Sequence, residues 1–235
     1  MRDASESLRA LSRAEFAAAT EGRVPEPEMI GGARTAGELW SVPVPMPGGH
    51  LAYTLSTVHV GASGAVAVVD PGWGTEEGIE RLGAVLGGLG RSIEDIETIV
   101  VTHAHPDHVG AADALRRASG ARLLMHEREQ AALDRAGAAK ATGGRTGVDR
   151  EDTEAEPFAG WGAPDPVIDR LREQREAARA AFAPPAPADA LLRDGDSLPI
   201  PGLDWEVLWT PGHTAGHICL VDRVARRILT GDHVL

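Results

Sequence analysis

The chain has 235 residues, 43% of them hydrophobic and 25% charged, and a formal net charge of −12. This length can bury one sizeable core, so a single domain over residues 1–235 is expected. The negative charge argues against nonspecific nucleic-acid binding, because a phosphate backbone requires a basic surface. Cys219 is the one cysteine, the charged N-terminus lacks the apolar segment of a secretory signal, and no stretch is apolar enough to span a membrane. We therefore expect a cytoplasmic protein.

Strand patterns begin at Leu39, after a helical or loose lead-in over residues 1–38. The segments LWSVPVPMP, LAYTLSTVHVG and AVAVVD are rich in β-branched and apolar residues, which predicts three strands. The third strand ends at the turn sequence 70–72. Apolar residues at spacings of three and four over 75–89 then predict a helix that Gly90 ends.

The next segment, IETIVVT, is predicted to be a buried strand that leads into a histidine-rich turn. A single helix is expected after the turn, capped by Asp107 and ended by Gly120. The helical positions expected to face inward are Ala111, Ala114, Leu115 and Ala118. ARLLMHE is a further short strand, and the alternation of strands and helices predicts an α/β fold.

Residues 127–190 differ in composition, being dominated by Ala, Arg, Glu, Gly and Pro. We predict a partly helical insertion, with a helix over 167–182 and a Pro-rich connector. A lid over the site is one role for this insertion, and a disordered loop is the alternative. Strand signals return from Leu191, and HICLVD and RRILTGD are predicted to pair as a hairpin.

Metal-binding side chains are concentrated in THAHPDHVG, residues 102–110. His103 and His105 are two positions apart, so in an extended segment both imidazoles point the same way and can chelate one cation. Pro106 favours that extended conformation at His105. Asp107 and His108 follow the turn and can offer an oxygen and a nitrogen to a second cation, a mixture that zinc accepts. A mononuclear site that uses only some of these residues is an open alternative.

Two later segments add further candidate ligands. TPGHTAGH, residues 210–217, contains a Pro-Gly turn that can present His213 as a third histidine for the first metal. His217 is expected to hydrogen-bond near the site rather than to bind metal. In LTGDHVL, Asp232 lies just past a strand, where a carboxylate can bridge two cations. His233 would point the other way in an extended segment and is expected to pack.

The motifs HxHxDH, PGHTxGH and GD occur here in the order typical of the metallo-β-lactamase superfamily. The chain resembles that family from about Leu39 to Leu235, apart from the insertion. The resemblance implies an αββα sandwich, and VVDPGW matches a family motif that places Asp70 beside the site as an orienting residue. Asp232 stands where other members have a cysteine, which is similar to the glyoxalase II-like and lactonase-like branch. Cys219 is expected to be a buried apolar residue.

The resemblance also implies a role for each matched residue. The implied ligands are His103, His105 and His213 for the first metal, and Asp107, His108 and a bridging Asp232 for the second. Two Zn²⁺ ions are expected, with Fe or Mn also compatible. A bridging water or hydroxide would be the nucleophile, and Asp107 would orient it or accept its proton.

One family feature has no counterpart in this sequence. The family completes its second metal with a further histidine well downstream of the bridging aspartate, and here no histidine follows His233. The last strands and helix of the family's second half are also absent. We therefore expect a fragment of a longer protein, and a degenerate member with a weakened second site is the alternative.

The function implied by the resemblance is metal-dependent hydrolysis of an ester-type bond in a small molecule: a thioester, a lactone or a phosphodiester. One alternative is a mononuclear iron oxygenase of the same fold, in which Asp107 and His108 would be spare. Another is a non-catalytic metal-binding fragment that needs a missing C-terminal segment. The sequence leaves the substrate, the native metal and the oligomeric state open.

Overall fold

The computed structural model describes residues 24–30, 37–47, 52–141, 162, 164–166, 168–169 and 182–234. In these ranges the chain forms a seven-stranded sheet, a three-stranded sheet and helices, so the predicted mixed α/β architecture is confirmed. The helix predicted over 167–182 lies almost entirely outside the described residues. Among the described helices, none is long and apolar enough to cross a membrane.

The strands of the large sheet are hydrogen-bonded in chain order. They are β1 Glu28–Met29, β2 Gly37–Pro45, β3 Tyr53–Gly61, β4 Val66–Val69, β5 Ile96–Val101, β6 Arg122–His126 and β7 Ala190–Leu192. Strands β1 to β4 pair antiparallel, whereas β4 to β7 pair parallel. The described part of the lead-in therefore contributes an edge strand. The parallel half places the carboxyl ends of β4 and β5 side by side, which is where the motif residues follow.

Four helices are described over their full length, together with two short 3-10 helices, and residues 165–166 and 168–169 are also helical. The four helices are α1 Glu76–Gly88, α2 Pro106–Val109, α3 Ala112–Ser119 and α4 Glu127–Ala141, with 3-10 helices at Ile93–Asp95 and Gly231–His233. The Thr75 hydroxyl caps α1 by accepting a hydrogen bond from the Gly78 N–H at 3.1 Å. Gly90 follows its end with φ of 69°, as the sequence predicts.

The single helix expected after the histidine-rich turn is wrong, because the chain forms α2 and α3 with a break between them. Asp107 is not a cap: it lies in the first turn of α2, and His105 occupies the capping position. Ala111 and Leu115 are buried as predicted and Ala114 is half-buried, but Ala118 is exposed and Ala112 is buried instead. Gly120 ends α3 with φ of 76°, as expected.

The small sheet has the order β10-β9-β8, with all pairs antiparallel. Its strands are β8 Trp205–Trp209, β9 Ile218–Asp222 and β10 Arg227–Leu229, and the predicted hairpin between β9 and β10 is confirmed. Alternate residues of the large sheet feed two apolar cores. Val68 and Ile99 pack with the helices, whereas Val69 and Val100 pack against the small sheet.

The segment before β7 lies against α3 and α4. The Ala188 N–H donates to Gln130 Oε1 at 2.7 Å, and Arg116 donates to Asp189 Oδ2 at 3.0 Å. The Pro-rich connector is therefore hydrogen-bonded to the helical layer at both of these points. A lid role for the insertion stays a prediction.

Candidate metal centre

The motif loops meet where the two sheets adjoin. The 102–105 segment leaves the carboxyl end of β5, the 210–217 loop joins β8 to β9, and the 3-10 helix with Asp232 follows β10. A backbone hydrogen bond from Ile218 N–H to the Thr102 carbonyl, 3.0 Å long, connects the sheets directly beside these loops. Side chains that are distant in sequence are thereby brought to one place.

Three imidazole nitrogens converge in the first group. His105 Nδ1 lies 3.1 Å from His103 Nε2 and 2.9 Å from His213 Nε2. Nitrogens that share a tetrahedral zinc at bonds of about 2.0 Å stand about 3.3 Å apart, so this spacing fits one cation. The His103 side chain is fully buried and that of His213 is 27% exposed, so the group has a buried side and a side open to solvent.

A second group adjoins the first and shares a carboxylate with it. Asp232 Oδ1 lies 3.2 Å from His108 Nε2, and its Oδ2 lies 3.4 Å from His213 Nε2 and 3.9 Å from His103 Nε2. One oxygen therefore faces each group, as a bridging carboxylate requires. The ligand atoms of His103, His108 and Asp232 lie within 4.8 Å of one another. Asp107 is at the edge, with Oδ2 at 3.6 Å from His108 Nε2.

Asp70 and Thr102 form a buried network behind both groups. Asp70 accepts hydrogen bonds from the Thr102 N–H and hydroxyl, each at 2.7 Å, and its Oδ2 lies 3.0 Å from His108 Nδ1. The Thr102 hydroxyl, which donates to Asp70, can accept from His103 Nδ1 at 3.1 Å. With Nδ1 of both histidines occupied as a donor, each Nε2 lone pair is left to face the site. Asp70 adopts a left-handed φ of 52° to make these contacts.

The shifted pKa values of the site histidines fit a set of side chains that can bind a cation. Burial and the neighbouring imidazoles lower the pKa of His103 and bring that of His105 to about 4, so both rings are neutral at pH 7. Burial alone would lower the pKa of His108, but Asp70, Asp232 and Asp107 raise it to about 10. Burial raises the pKa of Asp107. Without metal, His108 thus carries a proton among three carboxylates, and a cation can replace that proton.

The structure places the remaining motif residues as follows. His217 is buried, with Nδ1 2.9 Å from the Thr210 hydroxyl and its ring centroid 5.2 Å from that of His103; in the described residues its Nε2 has no hydrogen-bond partner. The expected packing of His233 is wrong, because its side chain is exposed in the 3-10 helix that replaces an extended segment. Cys219 is buried, as predicted.

Sequence reasoning missed two residues at the site. Thr102 begins the motif segment but has no ligand-type side chain, and its role follows only from its contacts with Asp70 and His103. Glu129 lies on α4, inside the segment interpreted as an insertion, and is nevertheless buried between the two histidine loops. No spacing rule singles out either residue.

Comparisons with known proteins identify the family. Residues 51–235 match the family model of the metallo-beta-lactamase superfamily. A hydroxyacylglutathione hydrolase of Cereibacter sphaeroides is 29% identical over 76% of this chain and 46% of its own length. An acyl-coenzyme A thioesterase of Gallus gallus is 31% identical over 57% of this chain and 40% of its own length. The chain thus spans about half the length of these curated relatives.

A solved structure gives the same result. A metallo-beta-lactamase family protein from Thermus thermophilus superposes with a TM-score of 0.63 at 31% identity, covering 84% of this chain and 60% of that one. Family model and fold agree over the region that carries the histidine and aspartate motifs. The chain belongs to the metallo-beta-lactamase superfamily.

Proposed function

We propose that this chain carries the metal centre of a hydrolase that cleaves thioesters. The observation that carries the proposal is the convergence of His103, His105 and His213 on one point, with Asp232 directing its second oxygen to His108. Three imidazole nitrogens this close together can serve as ligands of one cation. Bound there, a pair of cations would supply Lewis acidity and lower the pKa of a water molecule.

The protein residues have separate roles in this proposal. His103, His105 and His213 hold the first Zn²⁺, whereas His108 and Asp107 hold the second. Asp232 spans the two groups, and Fe or Mn would suit the same N and O ligands. Asp107 is also assigned to orient the attacking water or to accept its proton.

The thioester assignment rests on relatives. The two curated relatives described above are named as a hydroxyacylglutathione hydrolase and an acyl-coenzyme A thioesterase, and both names denote thioester cleavage. The partly exposed position of His213 leaves the centre open on one side, where a small-molecule acyl group can approach. Lactones and phosphodiesters are the other ester-type substrates to compare.

The test is a metal-loaded hydrolysis assay. The purified chain is stripped with chelator, reloaded with Zn²⁺, Mn²⁺ or Fe²⁺, and incubated with a hydroxyacylglutathione, an acyl-coenzyme A, a lactone and a phosphodiester. Hydrolysis of a thioester that chelator abolishes and H103A lacks is the expected result. Metal binding without hydrolysis of any substrate would mean a binding module, and iron-dependent oxygen consumption without hydrolysis would mean an oxygenase; either result overturns the proposal.

A further inference from the structure

Glu129 is a buried carboxylate that belongs to neither ligand group. It lies in the first turn of α4 and is 2% exposed. In the described part of the chain no Lys or Arg side chain forms an ion pair with it. A buried carboxylate without a cation is costly unless hydrogen bonds to its oxygens compensate for the lost hydration. Its neighbours therefore show which hydrogen bonds compensate for its burial.

Both oxygens of Glu129 accept hydrogen bonds from the two histidine loops. Oε2 accepts from the Ala104 N–H at 2.7 Å. Oε1 accepts from the Thr214 hydroxyl at 2.8 Å and from the Gly216 N–H at 2.6 Å. Ala104 lies between two candidate ligands of the first group, and Thr214 follows the third. One side chain thus joins the loop after β5 to the loop between β8 and β9.

The glycine of the second loop permits this approach. A Cβ built on Gly216 would lie 2.7 Å from both the backbone nitrogen and Oε1 of Glu129, which is closer than such atoms come. A larger residue would therefore push the loop away from α4. The small residue and the carboxylate act together in bringing the loop onto the helix.

The two loops are also connected by the backbone bond between Ile218 and Thr102. A single connection allows one loop to rotate about it, whereas a second connection at a different point fixes the angle between the loops. Glu129 provides that second connection. The 2.9 Å separation of His213 Nε2 from His105 Nδ1 is measured across these same loops.

We propose that Glu129 is a positioning residue that sets the spacing of the three histidines at the first metal. This inference rests on the proposed metal centre, and it adds a residue outside the histidine and aspartate motifs. Glu129 touches none of the reacting atoms and acts through Ala104, Thr214 and Gly216. Its effect is therefore expected on metal affinity and coordination geometry, before any effect on turnover.

The experiment compares metal binding by the metal-free chain and its variants. Zn²⁺ affinity is measured by competition with a chromophoric chelator, and Co²⁺ loading reports coordination through its visible spectrum. E129Q keeps the shape of the side chain but places an amide N–H against one group of loop donors. We expect its Zn²⁺ affinity to fall about 10–100-fold, the range usual for partners that orient metal ligands, with an altered Co²⁺ spectrum.

Two controls separate positioning from general destabilisation. E127Q removes an exposed carboxylate on the same helix, which pairs with Arg193, and should bind metal as the unmodified chain does. L133A removes a buried apolar side chain from that helix and lowers stability without touching the loops. If E129Q does not fold, T214V removes one of the three hydrogen bonds and should give a smaller loss of affinity.

The outcomes distinguish the two proposals. The positioning role is overturned if E129Q and T214V both bind Zn²⁺ with unchanged affinity. It is also overturned if their loss of Zn²⁺ affinity is no greater than that of L133A when the variants unfold at the same temperature. Either result leaves the proposed metal centre unaffected. Failure of the unmodified chain to bind Zn²⁺ or Co²⁺ overturns both.

Discussion

Replacing Asp70 with asparagine should separate the stability of the fold from its capacity to bind a second metal. The amide oxygen can still accept from the Thr102 N–H, and asparagine tolerates the left-handed φ of 52° seen at this position. The amide nitrogen, however, replaces the oxygen that faces His108 Nδ1 at 3.0 Å. Because it can only donate, His108 must carry its proton on Nε2, the atom directed towards the site.

The expected loss of stability follows from the hydrogen bonds that change. D70N converts three hydrogen bonds to a charged acceptor, from the Thr102 N–H and hydroxyl and from His108 Nδ1, into contacts with a neutral amide. Bonds to charged groups contribute about 1.5–3 kcal/mol and neutral ones about 0.5–1.5 kcal/mol. The difference over three bonds is about 3–4.5 kcal/mol. The tautomer change acts directly on a ligand atom, so the affinity for the second Zn²⁺ should fall at least about 10–100-fold.

The assay pairs urea unfolding in chelator with isothermal titration of Zn²⁺. D222N is the matched control, since Asp222 is also buried and accepts a hydrogen bond from the Ala225 N–H at 2.7 Å, away from the histidines. The reasoning is refuted if D70N binds the second Zn²⁺ as tightly as D222N does. It is also refuted if D70N binds both equivalents of Zn²⁺ more weakly and the loss of affinity is accounted for by the loss of stability alone.

Three further results are expected. In chelator, the unfolding free energy should fall as the pH decreases from 6.5 to about 4. Burial holds the pKa of His105 and His217 at about 4, so in that interval these two side chains take up protons only in the unfolded chain. Each proton contributes about 1.4 kcal/mol per pH unit, and a flat profile in urea titrations would contradict this. The contribution of His108, whose pKa is raised to about 10, is fully present below pH 6.5 and is lost only as pH rises towards 10. G231A should destabilise the chain by about 1–3 kcal/mol and weaken Zn²⁺ binding. Gly231 has a left-handed φ of 48°, and a Cβ there would lie 2.7 Å from the Thr102 hydroxyl oxygen. Unchanged Zn²⁺ affinity in a calorimetric titration would contradict this prediction. L82A, in the fully buried face of α1, should cost about 2–5 kcal/mol in urea unfolding while Zn²⁺ stoichiometry is retained.

Much of the architecture follows from local pattern. Strand β4 is a continuous apolar run, and β5 and β6 each contain a run of three apolar residues. The glycine after α1 and the short separation of β9 from β10 indicate where these elements end, so their positions are predictable from the sequence. The break between α2 and α3 is not. It depends on a close approach between chain segments, in which the Ala111 N–H donates to the Gly72 carbonyl at 2.9 Å, and no helix propensity encodes that contact.

The site divides in the same way. Ligand-type residues at strand ends have a recognisable spacing, and the sequence pointed to His103, His105 and Asp232 as members of one constellation. The supporting residues have no such spacing, because their roles arise from tertiary contacts. Thr102 and Glu129 acquire theirs when two loops, far apart in the chain, are brought together. The prediction for His233 is wrong because the direction of a side chain depends on whether the backbone is extended or helical.

The bond between Ile218 and the Thr102 carbonyl has a consequence for the folding kinetics. His105 and His213 are 108 residues apart, so the centre cannot form until the small sheet has docked on the large one. Closing so long a loop costs entropy before its contacts form, so we expect this contact to form late in folding. We therefore expect zinc to leave the folding rate nearly unchanged and to slow unfolding instead, since a ligand absent from the transition state acts on the unfolding step alone. Bound metal would then increase the kinetic stability of the packing between the two sheets.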